Sequence, residues 1–155
     1  MAAVRGVRPG RRGLQVLTGL TLLAGPAGGQ SGAGPPGPAR TQPCTAPEFR
    51  QFDFWIGDWE VRDTSGTTVY GSNRIESILG GCALQEHWTS ATPGQSGTSF
   101  NIYYPPRRLW HQTWVDSSGG FLLLDGRYQD GAMRLSGTMP RRDGVMVRHR
   151  INWSR

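Results

Sequence analysis

Lysine does not occur in this 155-residue chain, so all 17 basic side chains are arginine. Together with 23 Gly and 11 Pro, that usage fits a coding bias at least as well as a selected role for guanidinium groups. Without lysine no phosphate-cradling GxxxxGK[ST] loop can form, and Gly-x-Ser-x-Gly is missing too. His87, His111 and His149 show neither H-E-x-x-H nor H-x-H spacing, and two cysteines do not make a zinc ribbon. A Ser-His-Asp set assembled on paper, such as Ser99, His87 and Asp116, has no local support. No long stretch spaces its apolar residues at 3, 4 and 7, which argues against long amphipathic helices. The main apolar run, "LQVLTGLTLLA" from Leu14 to Ala24, is too short to span a bilayer comfortably.

That run follows Arg5, Arg8, Arg11 and Arg12, with no acid among them, and precedes the small residues Ala27-Gly28-Gly29. Residues 1–29 therefore read as a signal peptide, with cleavage near Gly29 and export to the periplasm or beyond the cell. Arg11-Arg12 is a thin match to a twin-arginine signal, and an ordinary basic n-region is the better account. Removing the four leader arginines leaves 13 Arg against 11 acids, or +2 instead of +6, so the high pI points to no nucleic-acid partner. Once the leader is removed, no segment is expected to insert stably in a membrane. Residues 30–43 form a Pro/Gly-rich linker with little to bury. Residues 44–155 make one domain with a modest core. Cys44 and Cys82 can pair in an oxidising compartment, closing a loop of about 38 residues, or remain separate thiols with Cys82 buried.

After a short helical stretch over Ala46–Phe54, the chain reads as eight strands cut by tight turns. They are expected at Trp59–Asp63, Val69–Ile78, Leu84–Thr89, Thr98–Tyr104, Leu109–Asp116, Phe121–Arg127, Met133–Thr138 and Val145–Trp153. Short turns such as "SSGG", "QDG" and "RRDG" make neighbouring strands antiparallel. Eight strands without a helical crossover favour an up-and-down meander that closes into an all-β barrel.

The segment "FDFWIGDWEV", Phe52 to Val61, bears on that fold. A helical turn followed by Gly-x-Trp at the first strand resembles the start of a lipocalin or calycin barrel. The resemblance implies that Gly57 allows a close approach and that Trp59 plugs the closed end. With "ILGGCALQEHW", "YYPPRRLWHQTWVDSSG" and "LSGTM", residues 48–155 resemble an uncharacterised bacterial family of small barrels, which implies a fold and no activity. Members of that family continue past the strand matching "VRHRINW" with a further hairpin. The expectation is thus either closure with eight strands or an open last edge.

Strand alternation nominates the inward residues. Trp110, Gln112 and Trp114 share one face of "LWHQTWVD". Leu84, Glu86 and Trp88 share one face of "LQEHW", where an inward Glu86 needs a partner, with Arg74 and Gln112 the candidates. His149 falls on the apolar face with Val147, Ile151 and Trp153. The expected function is non-enzymatic binding of a small hydrophobic or amphipathic molecule. Trp88, Tyr103, Trp110 and Trp114 would form the walls, and Glu86, Gln112 and His149 would orient the ligand. Three alternatives stand beside it: haem held by His149, with no other cofactor or metal expected; an enzyme using Glu86 as acid or base; and a structural envelope protein assembling through an open edge at Val145–Trp153.

Overall fold

The computed structural model describes residues 43–141 and 143–154, so the expected leader and nearly all of the linker lie outside the described residues. All eight expected strands form, each end within two residues of its expected place. They are β1 (Gly57–Arg62), β2 (Val69–Ile78), β3 (Ala83–Ser90), β4 (Ser96–Tyr104), β5 (Leu109–Asp116), β6 (Phe121–Gln129), β7 (Ala132–Pro140) and β8 (Met146–Ser154). Each pairs antiparallel with its neighbour in chain order, giving one all-β, up-and-down sheet. The sheet curls through 201° into a half-barrel. Among the described residues no pairing joins β1 to β8, so of the two expected outcomes the structure shows the open one.

Local chemistry sets the turns. In the β1–β2 hairpin the Asp63 carboxylate accepts from the Thr67 N–H at 2.9 Å and the Thr68 N–H at 3.2 Å. These backbone donors, Thr68 first, hold its pKa down to about 2. Asp116 does the same between β5 and β6, accepting from the N–H groups of Ser118 and Gly120 at 2.9 and 3.0 Å. Short aspartate side chains that bond nearby N–H groups favour such turns.

The expected helix over Ala46–Phe54 is instead two 3₁₀ turns, Pro47–Arg50 and Asp53–Trp55. Phe52 stands between them at φ −105°, ψ 3°, and the break drives its ring into the core at 0% exposure. There it stacks on Trp55 at 4.8 Å and meets Trp110 and Trp153 edge-on at 5.6 and 5.2 Å. Gly57, at φ +135°, turns the chain from this segment into β1. The Trp59 indole then donates to the Trp55 carbonyl at 2.6 Å. "FDFWIGDWEV" is thus a staple that pins an aromatic segment against the curled sheet. Its ring cluster continues into Ile75, Leu84, Leu124, Met133 and Leu135.

A Cys44–Cys82 disulfide fastens the same segment to the connection between β2 and β3. The Arg50 guanidinium reinforces it by donating to the Gly81 carbonyl. The bond suits an oxidising compartment. Among the described residues no helix is long and apolar enough to cross a membrane.

Candidate functional site

Antiparallel pairing stacks the inward residues of β1–β5 into rows across the concave face. Trp59, Asn73 and Trp88 form one row, and Ile75, Glu86, Ser99 and Trp114 the next. Asn101 and Gln112 face each other in a third. Five of these side chains are polar and buried: Asn73, Glu86, Ser99, Asn101 and Gln112. A buried polar group costs free energy unless it is hydrogen-bonded, and here the bonds form a chain across four strands.

The chain is directional. Gln112 Nε2 donates to Asn101 Oδ1 at 2.9 Å and to Ser99 Oγ at 3.3 Å. Asn101 Nδ2 also donates to Ser99 Oγ, at 2.9 Å. With two donors already on its oxygen, Ser99 turns its own hydroxyl hydrogen to Glu86 Oε2 at 2.6 Å. From the other side Asn73 Nδ2 donates to Glu86 Oε1 at 2.6 Å. Glu86, 7% exposed, is the sink of the whole chain.

No cation shares this arrangement among the described residues. Arg74, a candidate partner from the sequence, points to the outer face and pairs with Glu76 at 2.6 Å. Gln112, the other candidate, reaches Glu86 only through Ser99. Burial therefore pushes the Glu86 pKa up from its ordinary value near 4.5, against the smaller opposing effects of the Ser99 and Asn73 hydrogen bonds and of the neighbouring His87. The sign of the linkage follows. A folded pKa above the unfolded one means that the native state keeps its proton longer. The stability this supplies is full below pH 4.5 and declines as pH rises through the folded pKa. Glu86→Gln is expected to remove that decline. Urea midpoints measured from pH 4 to pH 8 should converge at the acid end and separate in favour of the variant at the alkaline end, and parallel curves would contradict the burial argument.

Trp88 and Trp114 are half-buried beside this chain. The Trp88 ring lies over Gly71, where an added Cβ would meet it at 2.8 Å, and Trp114 lies over Gly97, where a Cβ would meet it at 2.2 Å. Trp88 also lines an open groove of about 620 Å³ at the rim, with Val61, Thr68, Val69, Tyr70 and Gln95 among its other walls. A second open groove of about 560 Å³ runs along Trp59, Gly71 and Ser72. Glu86, Gln112, Trp114 and His149 line neither groove, and nor do Tyr103 and Trp110. The last two belong to the packed core, and the Trp110 indole donates to Gln51 Oε1 at 3.2 Å. His149 is half-buried on β8 directly opposite Gly137, away from Glu86 in strand order. No group of three or more His, Cys, Asp or Glu side chains among the described residues is placed to hold a metal ion.

The sequence-nominated residues therefore divide. Glu86, Trp88, Gln112 and Trp114 come together on β3 and β5, while Tyr103 and Trp110 pack under the aromatic segment and His149 stands apart. Asn73, Ser99 and Asn101 escaped the sequence reading. Their signal was the parity they share with the inward residues Ile75 and Tyr103 on the same strands.

No protein-family model matches this chain, and a search of curated proteins returns no match.

Proposed function

We propose that the half-barrel binds a small amphipathic molecule at its open rim, in the manner of a lipocalin-like carrier. Its apolar body lies in the groove against Trp88, and its polar end is held by the Glu86 chain. The observation that carries this reading is a buried carboxylate with no arginine paired to it among the described residues, two residues along the same face from a half-buried tryptophan that lines a groove. A groove of about 620 Å³ falls within the range of small-molecule sites. Export, as the leader implies, and the disulfide suit a carrier in the periplasm or outside the cell. Native mass spectrometry of the protein purified without reductant tests the reading. A stoichiometric bound mass, lost in Trp88→Ala, is expected. A bare chain that also fails to enhance an apolar fluorophore would rule the reading out.

One observation favours a second reading, assembly of copies through the open edges. The outward row of β1 carries Asp58 and Glu60, and that of β8 carries Arg148 and Arg150, all exposed. If β8 of one copy pairs antiparallel with β1 of the next so that Asp58 meets Arg150, then Glu60 meets Arg148 and Trp59 meets His149. Pairing two β8 strands about His149 would instead oppose arginines, which is unfavourable. Sedimentation should show a concentration-dependent oligomer that the charge reversals Arg148→Glu and Arg150→Glu dissociate. A monomer at all concentrations would exclude it.

A further inference from the structure

We infer that the polar end of the bound molecule is a hydrogen-bond donor, an ammonium or a hydroxyl group, received by Asn73 Oδ1 and the Glu86 carboxyl. This rests on the binding reading above and specifies its ligand class.

The argument is a count of donors and acceptors. Gln112 spends both amide hydrogens, on Asn101 and on Ser99. Ser99 spends its only hydrogen on Glu86. Asn101 and Asn73 each direct an amide hydrogen along the same path towards the carboxyl. Asn73 Nδ2 and Asn101 Nδ2 each keep a second hydrogen, but the one buried atom of the chain left with no partner at all is an acceptor. Asn73, 8% exposed, has a buried Oδ1 with no hydrogen-bond partner. The only other such side-chain atom among the described residues is Asp53 Oδ1, in the N-terminal segment, where the same carboxylate faces Arg50 at 3.5 Å. A buried acceptor without a donor carries its full desolvation cost, and an incoming N–H or O–H removes that cost. A carboxylate or phosphate would instead bring its oxygen atoms against Asn73 Oδ1 and the Glu86 carboxyl, which repel them. Among the described residues no arginine faces it either, since Arg74 is turned outward to Glu76.

The surroundings suit a cation better than a neutral donor. Asn73 lies between Trp59 and Trp88, its partners on the two flanking strands. Indoles on both sides can hold an ammonium by cation–π attraction while Glu86 supplies the opposite charge. Asn73 and Glu86 do not line the groove themselves, but Trp88, the cross-strand partner of Asn73, does, and it joins the groove to this side of the polar chain.

The test titrates the full disulfide-bonded protein with octylamine and with octanoate, which share a tail length and differ in the head. Calorimetry is expected to give octylamine an affinity about tenfold or more above that of octanoate. In Glu86→Gln, checked by near-ultraviolet circular dichroism for an intact fold, octylamine should weaken by about tenfold, while octanoate, relieved of a like charge, should bind no more weakly than before. Octanoate binding as tightly as octylamine would overturn the inference and leave the binding reading in place. Octylamine binding unchanged in Glu86→Gln would also overturn it. If neither compound binds, the binding reading falls and the inference falls with it. The wild-type comparison needs no variant, so a Glu86→Gln chain that fails to fold leaves the test intact.

Discussion

Phe52→Ala is expected to destabilise the domain by about 3–5 kcal/mol, the usual cost of emptying a large aromatic site in a packed core. Phe52 is fully buried, and its ring touches Phe54, Trp55, Trp110 and Trp153. Those neighbours come from the N-terminal segment, β5 and β8, so the lost ring uncouples three parts of the fold at once. The rigid indoles around it have little freedom to collapse into the space, which places the effect towards the upper end. Phe100→Ala on the outer face is the matched control. Its ring is 49% exposed, and a change within about 0.5 kcal/mol is expected. Urea unfolding of both variants at one pH checks the contrast. Similar losses at the two sites would mean that the aromatic segment is not the keystone described above.

The second large effect is on the disulfide. Cys44 and Cys82 close a separation of 38 residues, which restricts the unfolded chain by about 4 kcal/mol in the loop-entropy account. Replacing both with serine should lower the unfolding free energy by that order and make stability insensitive to added thiol. The wild type should fall to the level of the variant when reduced. The bond also ties down the segment that carries Phe52, so the double replacement and Phe52→Ala are expected to combine to less than the sum of their separate effects. Full additivity would indicate that the covalent tie and the buried ring stabilise independent parts of the chain.

The strands and their inward faces were legible because alternation and turn residues specify them locally. Asp63, Asp116 and the glycines after them punctuate the chain, and parity then places Glu86 with Leu84 and Trp88. The partners of Glu86 were less legible. Arg74 precedes Ile75 by one residue and carries the charge that a carboxylate would prefer, yet one residue in a strand is the difference between inside and outside. Asn73, on the inward side of that step, is the residue that bonds. The break at Phe52 was also hidden. Ala46–Phe54 has a helical look, and only the curled sheet supplies the site that a buried ring at Phe52 fills. Trp110 and Trp114 read alike in sequence, four residues apart on one face. Their separation into core and rim depends on which end of β5 the N-terminal segment covers.

The polar chain has a consequence for how the sheet finds its alignment. A slip of one residue between two strands exchanges their faces and is penalised by every apolar side chain involved. A slip of two residues preserves the faces, and hydrophobic burial barely distinguishes it from the native pairing. Such a slip between β3 and β4 sets Glu86 against Gly97, which has no side-chain donor to offer, or against Asn101, whose amide already gives one hydrogen to Ser99. Either way the serine hydroxyl that now ends on the carboxyl is displaced. The five buried polar side chains thus act as the teeth of a key. They recognise the one even-numbered alignment in which all of them are bonded, and the near-miss pairings lose the serine bond to the carboxyl at the centre of the sheet.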